Sequence, residues 1–304
     1  MIQLVAIKSI VTSARDTLLW TLGRLRGRCA DGPAPSGRAS AFAAVNSAWK
    51  AYRLDAGARE LGLHHAGSRF DHHILLTEDP RADAVLAYLA RHAAGDVARV
   101  AEQLRAARSH PGRTLGRFDA EERDMLEAAA QGLNKAQVSF DGPPPVSQLM
   151  KAIARFREDY RFAAEGLGDT AERGGVWAIN LALLTMQQAD AVAGIVPRAA
   201  LRIDEKLDEV VLVEWWAQRA AQVLDGLNMI ERRWRATQTA MAPLSSDARA
   251  RDLVQWLIGL DIVKAAHLVR GERLSKAGVM RALNQLRGLG VSRSGTNGLH
   301  QLNL

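Results

Sequence analysis

The sequence predicts an all-α protein whose C-terminal residues 246–304 add a short β-hairpin to a small group of helices. Apolar side chains recur every three or four positions through most of the chain, which is the period of an amphipathic helix. The alternation typical of strands is nearly absent before residue 291, and no repeat of about 20 to 50 residues suggests a solenoid. We therefore expect a multi-helix body followed by one small mixed unit.

Length, charge and cysteine content limit the classes of protein that fit this chain. Its 304 residues are sufficient for two domains. The 40 Lys and Arg residues exceed the 33 Asp and Glu residues, and the net charge of +7 favours acidic partners such as nucleic acid or an anionic membrane surface. An Ala- and Arg-rich composition also produces such a charge without a partner, so charge alone leaves both interpretations open. The single cysteine, Cys29, excludes a disulfide framework and a cysteine-based zinc site, and we expect a cytoplasmic protein.

Two apolar stretches are too polar to predict a transmembrane segment. Residues 1–28 predict an amphipathic helix, but Lys8 and Arg15 divide it into pieces shorter than the roughly 18 to 20 residues that a span needs. The same stretch lacks the cleavage pattern of a secretory signal. Residues 176–196 contain Asp190 and several amide side chains, which favours a helix buried inside a helical domain. Attachment to a membrane surface through residues 1–28 stays an alternative.

Changes in composition mark the expected joints between domains. Residues 29–40 are rich in Gly, Pro and Ser. Residues 141–146 contain three consecutive prolines, which cannot continue a helix. A weaker break precedes the tail, where Ser246 or Asp247 is expected to cap the first helix. The expected division is an N-terminal helix (1–28), a linker (29–40), a helical domain (41–140), a Pro-rich joint (141–146), a second helical domain (147–245) and a tail domain (246–304).

The body is predicted to contain long helices at residues 82–108, 146–167 and 205–241. The last is the longest and carries an apolar stripe that needs cover, as in helices that pair two chains. We therefore expect a homodimer that associates through some of the apolar residues of this helix, namely Leu207, Val211, Trp215, Trp216 and Leu227. A protein partner for the helical body is left open.

The tail shows the most specific pattern in the chain. Residues 261–270 predict a bracing helix, residues 271–274 a turn, and Ser275 the N-cap of a second helix that ends before Gly290. Val291 and the residues after it alternate toward a turn, which predicts a hairpin over residues 292–302. The second helix buries one apolar face, formed by Val279, Ala282, Leu283 and Leu286.

The other faces of this helix carry side chains that suit nucleic acid. Arg pairs with guanine, Asn and Gln pair with adenine, and Lys suits single phosphates. These residues are Lys276, Arg281, Asn284 and Gln285, and Met280 lies on the same faces. From residue 270 to 293 the cations outnumber the one anion, Glu272, and form a basic patch of Arg270, Arg273, Lys276, Arg281, Arg287 and Arg293.

On these residues the segment resembles the winged helix-turn-helix superfamily over about residues 246–304. The resemblance implies that the third helix reads double-stranded DNA and that the wing touches the backbone or the minor groove. It places Lys276, Arg281, Asn284 and Gln285 on DNA and Arg293 in the wing; with the basic patch, the candidate DNA-binding set also includes Arg270 and Arg273. Gly278 and Gly288 depart from a good recognition helix, because each costs roughly 1 kcal/mol relative to Ala.

Other candidate sites have structural explanations. His64, His65, Asp71, His72 and His73 are metal-ligand types, but their spacing matches no closed zinc site and favours a loop with exposed histidines or a short buried segment at 70–76. The acidic clusters at 119–122 and 204–209 lie at predicted helix starts, where they complement the helix dipole. No nucleotide-binding loop, hydrolase motif or metalloprotease motif is present. We therefore predict no catalytic residue, metal or cofactor, and a protein that is not an enzyme.

The sequence thus favours a basic DNA-binding protein. The expected role is transcription regulation, or an accessory role in replication or partition, in a bacterial-type genome or mobile element. The alternative is a helical interaction or scaffold protein whose winged helix docks on a protein partner.

Overall fold

Helices dominate the computed structural model, which describes residues 16–17, 19–21, 37–55, 72–79, 81–108, 117–136, 146–166, 209–246 and 248–303. A helix-dominated fold is thereby confirmed. The helices are α1 (Gly37–Asp55), α2 (Arg81–His92), α3 (Gly95–Arg108), α4 (Arg117–Ala136), α5 (Val146–Ala163), α6 (Glu209–Ala240), α7 (Arg249–Leu260), α8 (Ala265–Gly271) and α9 (Lys276–Gly288). The strands are β1 (Ile262–Lys264), β2 (Ser292–Ser294) and β3 (Leu299–Leu302). Within these ranges, every helix is too short or too polar to cross a membrane.

Several sequence expectations lie wholly or partly outside the described residues. Of the N-terminal helix expected at 1–28, only residues 16–17 and 19–21 are described, and they are helical. The Pro-rich joint is outside the description up to the start of α5, and so is the apolar stretch at 176–196. Helix α1 begins at Gly37, so the last four residues of the expected linker are helical.

The chain divides into two compact units, each assembled from separate segments. The first contains Met1–Gly32, Ala51–His64 and Ala120–Gly226. The second contains Pro33–Lys50, His65–Asp119 and Leu227–Leu304, so it combines the tail with two earlier segments.

The first unit includes a close crossing of α4 and α5. A Cβ added to Gly132 of α4 would lie 3.1 Å from the backbone of Tyr160 in α5, so glycine permits this approach. The rings of Phe156 and Tyr160 stack with centroids 5.6 Å apart, and both side chains are buried. The helix expected at 146–167 is therefore present over Val146–Ala163 and buries an aromatic face.

Helix α6 confirms most of the long helix expected at 205–241, since it covers Glu209–Ala240. Of the residues expected at the self-association surface, Trp216 is buried within the chain, whereas the adjacent Trp215 is 47% exposed. Leu227 is half-buried, Leu207 lies outside the described residues, and the side chain of Val211 is not described. Self-association through this helix stays a prediction.

The second unit contains the helix pair α2 and α3, which pack on each other. The sequence pattern over 82–108 continues through both, but Gly95 takes a left-handed φ of 60° and divides it into two helices. A glycine adopts this conformation without the steric cost of a Cβ. The break lets α3 fold back along α2 and present its C-terminal end to α8.

The tail confirms three expected features and corrects two. Ser275 caps α9 by accepting a hydrogen bond from the Gly278 amide at 3.1 Å, and Gly290 has a φ of 71° after the helix ends. The hairpin of β2 and β3 is also present. The helix expected over 261–270 is present only as the short α8, from Ala265 to Gly271, because Asp261 ends α7 and β1 occupies Ile262–Lys264.

Pairing with a distant strand explains β1. It pairs antiparallel with β3, with Val263 opposite His300, and the sheet order is β1-β3-β2. The sequence shows almost no strand pattern before residue 291, because a three-residue strand is too short to show alternation.

The start of α7 is the second correction. Its N-cap is Ala248, which makes no side-chain cap, instead of Ser246; Asp247 lies outside the described residues. Arg251 holds the preceding turn instead, because its guanidinium donates hydrogen bonds to the carbonyl oxygens of Met241, Leu244 and Ser245 at 2.9–3.0 Å.

Candidate functional site

The outer face of α9 is the best-defined candidate site in the described residues. Its inner face is closed by Val279, Ala282, Leu283 and Leu286, which are at most 2% exposed. The exposed residues are Lys276, Ala277, Met280, Arg281, Asn284, Gln285, Arg287 and Gly288. At 100° per residue, Asn284 and Ala277 lie near the centre of the exposed face, with Met280 and Arg281 beside them.

The positive charge of the chain is concentrated around this helix. Residues 262–303 contain seven Lys and Arg residues and one acidic residue, a formal charge of +6 within a chain of +7. The rest of the chain is therefore almost neutral. The excess of basic residues is thus local to this segment, and a local positive surface attracts polyanions.

The one acidic residue of this segment, Glu272, is paired within the protein. Its carboxylate accepts hydrogen bonds from the Arg38 guanidinium of α1 and from the Trp256 indole of α7. The side chains of Arg38 and Glu272 are only 14% and 13% exposed. Glu272 therefore does not offset the exposed cations, and its two bonds tie the turn before α9 to α1 and α7.

Close packing around Trp256 fixes the same turn. Trp256 is fully buried, and its ring centroid lies 4.5 Å from that of Phe42. A Cβ at Gly271 would lie 2.7 Å from Trp256 Cζ2, so only glycine fits where α8 ends. The turn that aims α9 is thus built by residues of α1, α7 and α8 together.

The candidate DNA-binding residues occupy different positions in this structure. Arg270 is half-buried, and its Nε donates a hydrogen bond of 2.7 Å to the Ala107 carbonyl at the end of α3. Its guanidinium therefore anchors α8 to α3. The other six candidates have exposed side chains: Arg273, Lys276, Arg281, Asn284, Gln285 and Arg293.

Arg273 lies in the turn between α8 and α9 with a φ of 52°. This left-handed conformation is uncommon for a residue with a side chain. Arg293 lies on β2 opposite Gln301 of β3. The turn and the hairpin thus place one exposed arginine before α9 and one after it.

The hairpin between β2 and β3 is closed by a short turn at Thr296–Gly298. Asn297 and Gly298 have φ values of 58° and 69°, and the Gly295 amide donates a hydrogen bond of 2.7 Å to Leu299 O. All residues from 293 to 298 are exposed, whereas Leu299 is buried. The tip therefore projects from the sheet, and its base is part of the core.

Arg287 is a site residue that the sequence interpretation counted as a cation but did not place on DNA. Its Nη2 donates a hydrogen bond of 2.9 Å to Asn284 Oδ1. This bond orients the amide at the centre of the exposed face. The signal is present in the sequence, because residues three apart on a helix are neighbours. Burial, and then the charge of Arg287, lower the pKa of His300 on β3.

The described histidines form no metal site. His64, His65 and Asp71 are outside the described residues, and within those ranges no group of three or more His, Cys, Asp or Glu side chains is arranged to hold a metal. His72 is exposed, but His73 is not on an exposed loop. Its Nε2 lies 3.0 Å from Leu260 O, and burial lowers its pKa.

A second buried histidine, His267, lies on α8. Its pKa is lowered to about 3, first by burial and then by the positive charges of Arg270 and Lys264. It is therefore neutral near neutral pH and serves the packing of α8.

No protein-family model matches the chain, and no curated protein matches it. The chemical interpretation of the site therefore depends on the residues and geometry described above.

Proposed function

We propose that the protein binds double-stranded DNA through α9 and the β2–β3 hairpin, and that the tail is a winged helix-turn-helix unit. The succession of α7, α8 and α9 followed by an antiparallel hairpin supports this interpretation. An α-helix with its side chains is about 10–12 Å wide, and the major groove of B-DNA is about 12 Å wide.

The outer face of α9 is the observation that carries the proposal. It combines Arg281, Asn284 and Gln285, whose side chains make two-point hydrogen bonds with base edges, and it buries none of them. Lys276, at the first turn of the helix, suits a phosphate. The local charge of +6, which already includes Glu272, provides the attraction to a polyanion.

The wider role follows from this binding as part of the proposal. A DNA-binding protein of this kind acts as a transcription regulator or as an accessory in replication or partition of a bacterial-type genome or mobile element, in the cytoplasm. Pairing of two chains along α6 would present two α9 helices to two half-sites.

The test is a binding titration of the full-length protein with a duplex selected from a random pool and with an unrelated duplex, over a salt series. Arg281→Ala and Asn284→Ala should each weaken binding to the selected duplex by about 1–3 kcal/mol. Lys276→Ala should weaken both duplexes evenly and reduce the salt slope by about one unit, because one fewer counterion is released.

Arg99→Ala is the matched control. It removes one positive charge from α3, where Arg99 is 64% exposed, and should leave binding nearly unchanged. If the three α9 variants all bind both duplexes as the parent does, this face does not contact DNA. The alternative of a scaffold protein whose winged helix docks on another protein would then lead.

A further inference from the structure

Met280 is an apolar side chain near the centre of a face that is otherwise polar, cationic or made of Ala and Gly. It is 36% exposed, while the inner residues of α9 complete the core without it. Helical spacing places it next to Lys276, Ala277 and Asn284, three or four residues away. A lone exposed methionine is ordinary on a protein surface, but this one lies where the proposed function places the DNA bases.

The major groove presents one apolar group among its base edges. That group is the C5-methyl of thymine; the other edge atoms are hydrogen-bond donors and acceptors. A flexible thioether side chain suits a methyl group and makes no useful contact with phosphate. Ala277, on the same face, adds a second small apolar surface and leaves room for the base to approach.

We infer that Met280, supported by Ala277, reads a thymine methyl group, so that the duplex recognised by α9 contains a thymine at a fixed position. This inference rests on the proposed function and names part of its substrate. Met280 and Asn284 are four residues apart, a helix rise of about 6 Å, which is close to two base steps of about 3.4 Å. The thymine should therefore lie within about two base pairs of the base that Asn284 contacts.

Uracil provides a direct test, because it has the hydrogen-bonding edge of thymine without the methyl group. The parent protein first selects a duplex from a random pool, and each thymine of that duplex is then replaced singly by uracil. At one position the replacement should weaken binding about fourfold, which corresponds to the burial of one methyl group. At thymines outside the contacted bases it should have no effect.

Two variants assign that effect to Met280. Met280→Ala should bind the thymine and uracil duplexes equally, whereas Met280→Leu keeps an apolar side chain and should keep most of the difference. Both are exposed substitutions, and circular dichroism checks that the helices are intact. A parent protein that distinguishes uracil at no position overturns the inference while the proposed function stands.

The other outcomes are equally decisive. If Met280→Ala keeps the fourfold preference for thymine, another side chain reads the methyl group and the inference is wrong. If the parent protein binds duplexes without selecting any sequence, the inference fails alone; if it binds no duplex at all, the proposed function fails and the inference fails with it.

Discussion

Replacing Arg273 by glycine should stabilise the tail and at the same time weaken DNA binding. Arg273 adopts a φ of 52° in the turn between α8 and α9, and its amide donates a hydrogen bond of 3.3 Å to Arg270 O. Its side chain is exposed, so its removal leaves no cavity. An arginine at this position carries the steric cost of a left-handed backbone, and such strain is typical of positions where the side chain has a function.

The magnitude follows from two opposing effects. The left-handed conformation costs a non-glycine residue roughly 1–2 kcal/mol, which Arg273→Gly removes. The greater flexibility of glycine in the unfolded chain destabilises the folded protein by roughly 0.5–1 kcal/mol and offsets part of this gain. The net gain should be about 0.5–1 kcal/mol. Arg273→Ala removes the same charge but keeps the left-handed Cβ, so its stability should stay within about 0.5 kcal/mol of the parent.

Hydrogen exchange of the α9 amides measures this gain without requiring the whole chain to unfold in one step. A gain of about 0.5–1 kcal/mol slows exchange by roughly two- to fivefold where reclosing is fast and the opening equilibrium sets the exchange rate. In DNA titrations, the Gly and Ala variants should both weaken binding, and both should reduce the salt slope by about one unit, while Arg273→Lys keeps the slope.

The two halves of this prediction fail separately. Faster exchange in Arg273→Gly than in the parent would refute the reasoning from backbone conformation. An unchanged salt slope in both the Gly and Ala variants would show that Arg273 makes no phosphate contact, whatever happens to stability.

Two further predictions concern the packing of α8 and α9. Gly271→Ala should lower the free energy of unfolding by about 1–3 kcal/mol, because its Cβ would overlap the Trp256 ring. Gly288→Ala, whose Cβ meets nothing within 4 Å, should be neutral or stabilising. Denaturant unfolding compares the two variants, and equal effects would contradict the close contact at Gly271. The pKa of His267 is about 3 in the folded protein and 6.5 when unfolded, so its contribution to stability is fully present above pH 6.5 and should fall by about 1.4 kcal/mol for each pH unit between 6.5 and about 3. Between pH 7 and pH 5 this group should therefore lower the free energy of unfolding by about 2 kcal/mol, and the decrease should be correspondingly smaller in His267→Phe. The same decrease in both proteins would exclude His267 as the cause.

Features encoded by neighbouring residues were predictable from the sequence. The Ser275 cap, the positive φ of Gly290 and the hairpin turn at Asn297 and Gly298 each depend on a few consecutive side chains. The helical period likewise predicted the buried and exposed faces of α9. These local signals determined the candidate site.

Features that depend on distant partners were not predictable in the same way. Strand β1 exists through its pairing with β3, and Arg270 is engaged by the Ala107 carbonyl, 163 residues earlier in the chain. The pairing of Glu272 with Arg38 joins residues 234 positions apart. No periodicity or cap signal encodes such contacts, so the sequence placed Arg270 with the exposed cations.

The assembly of the second unit from separated segments sets the order in which it is completed during translation. Phe42 packs against Trp256, and the His73 ring contacts Leu260 O. At roughly 5–20 residues per second, Trp256 leaves the ribosome on the order of 10 to 40 seconds after Phe42. Until then the apolar face of α1 lacks this aromatic partner and is open to chaperones or to wrong partners. In stalled nascent chains, protection of the Phe42 segment from protease should therefore increase only once Trp256 has emerged. The packing of the early helices thus depends on the C-terminal part of the chain, which is synthesised last.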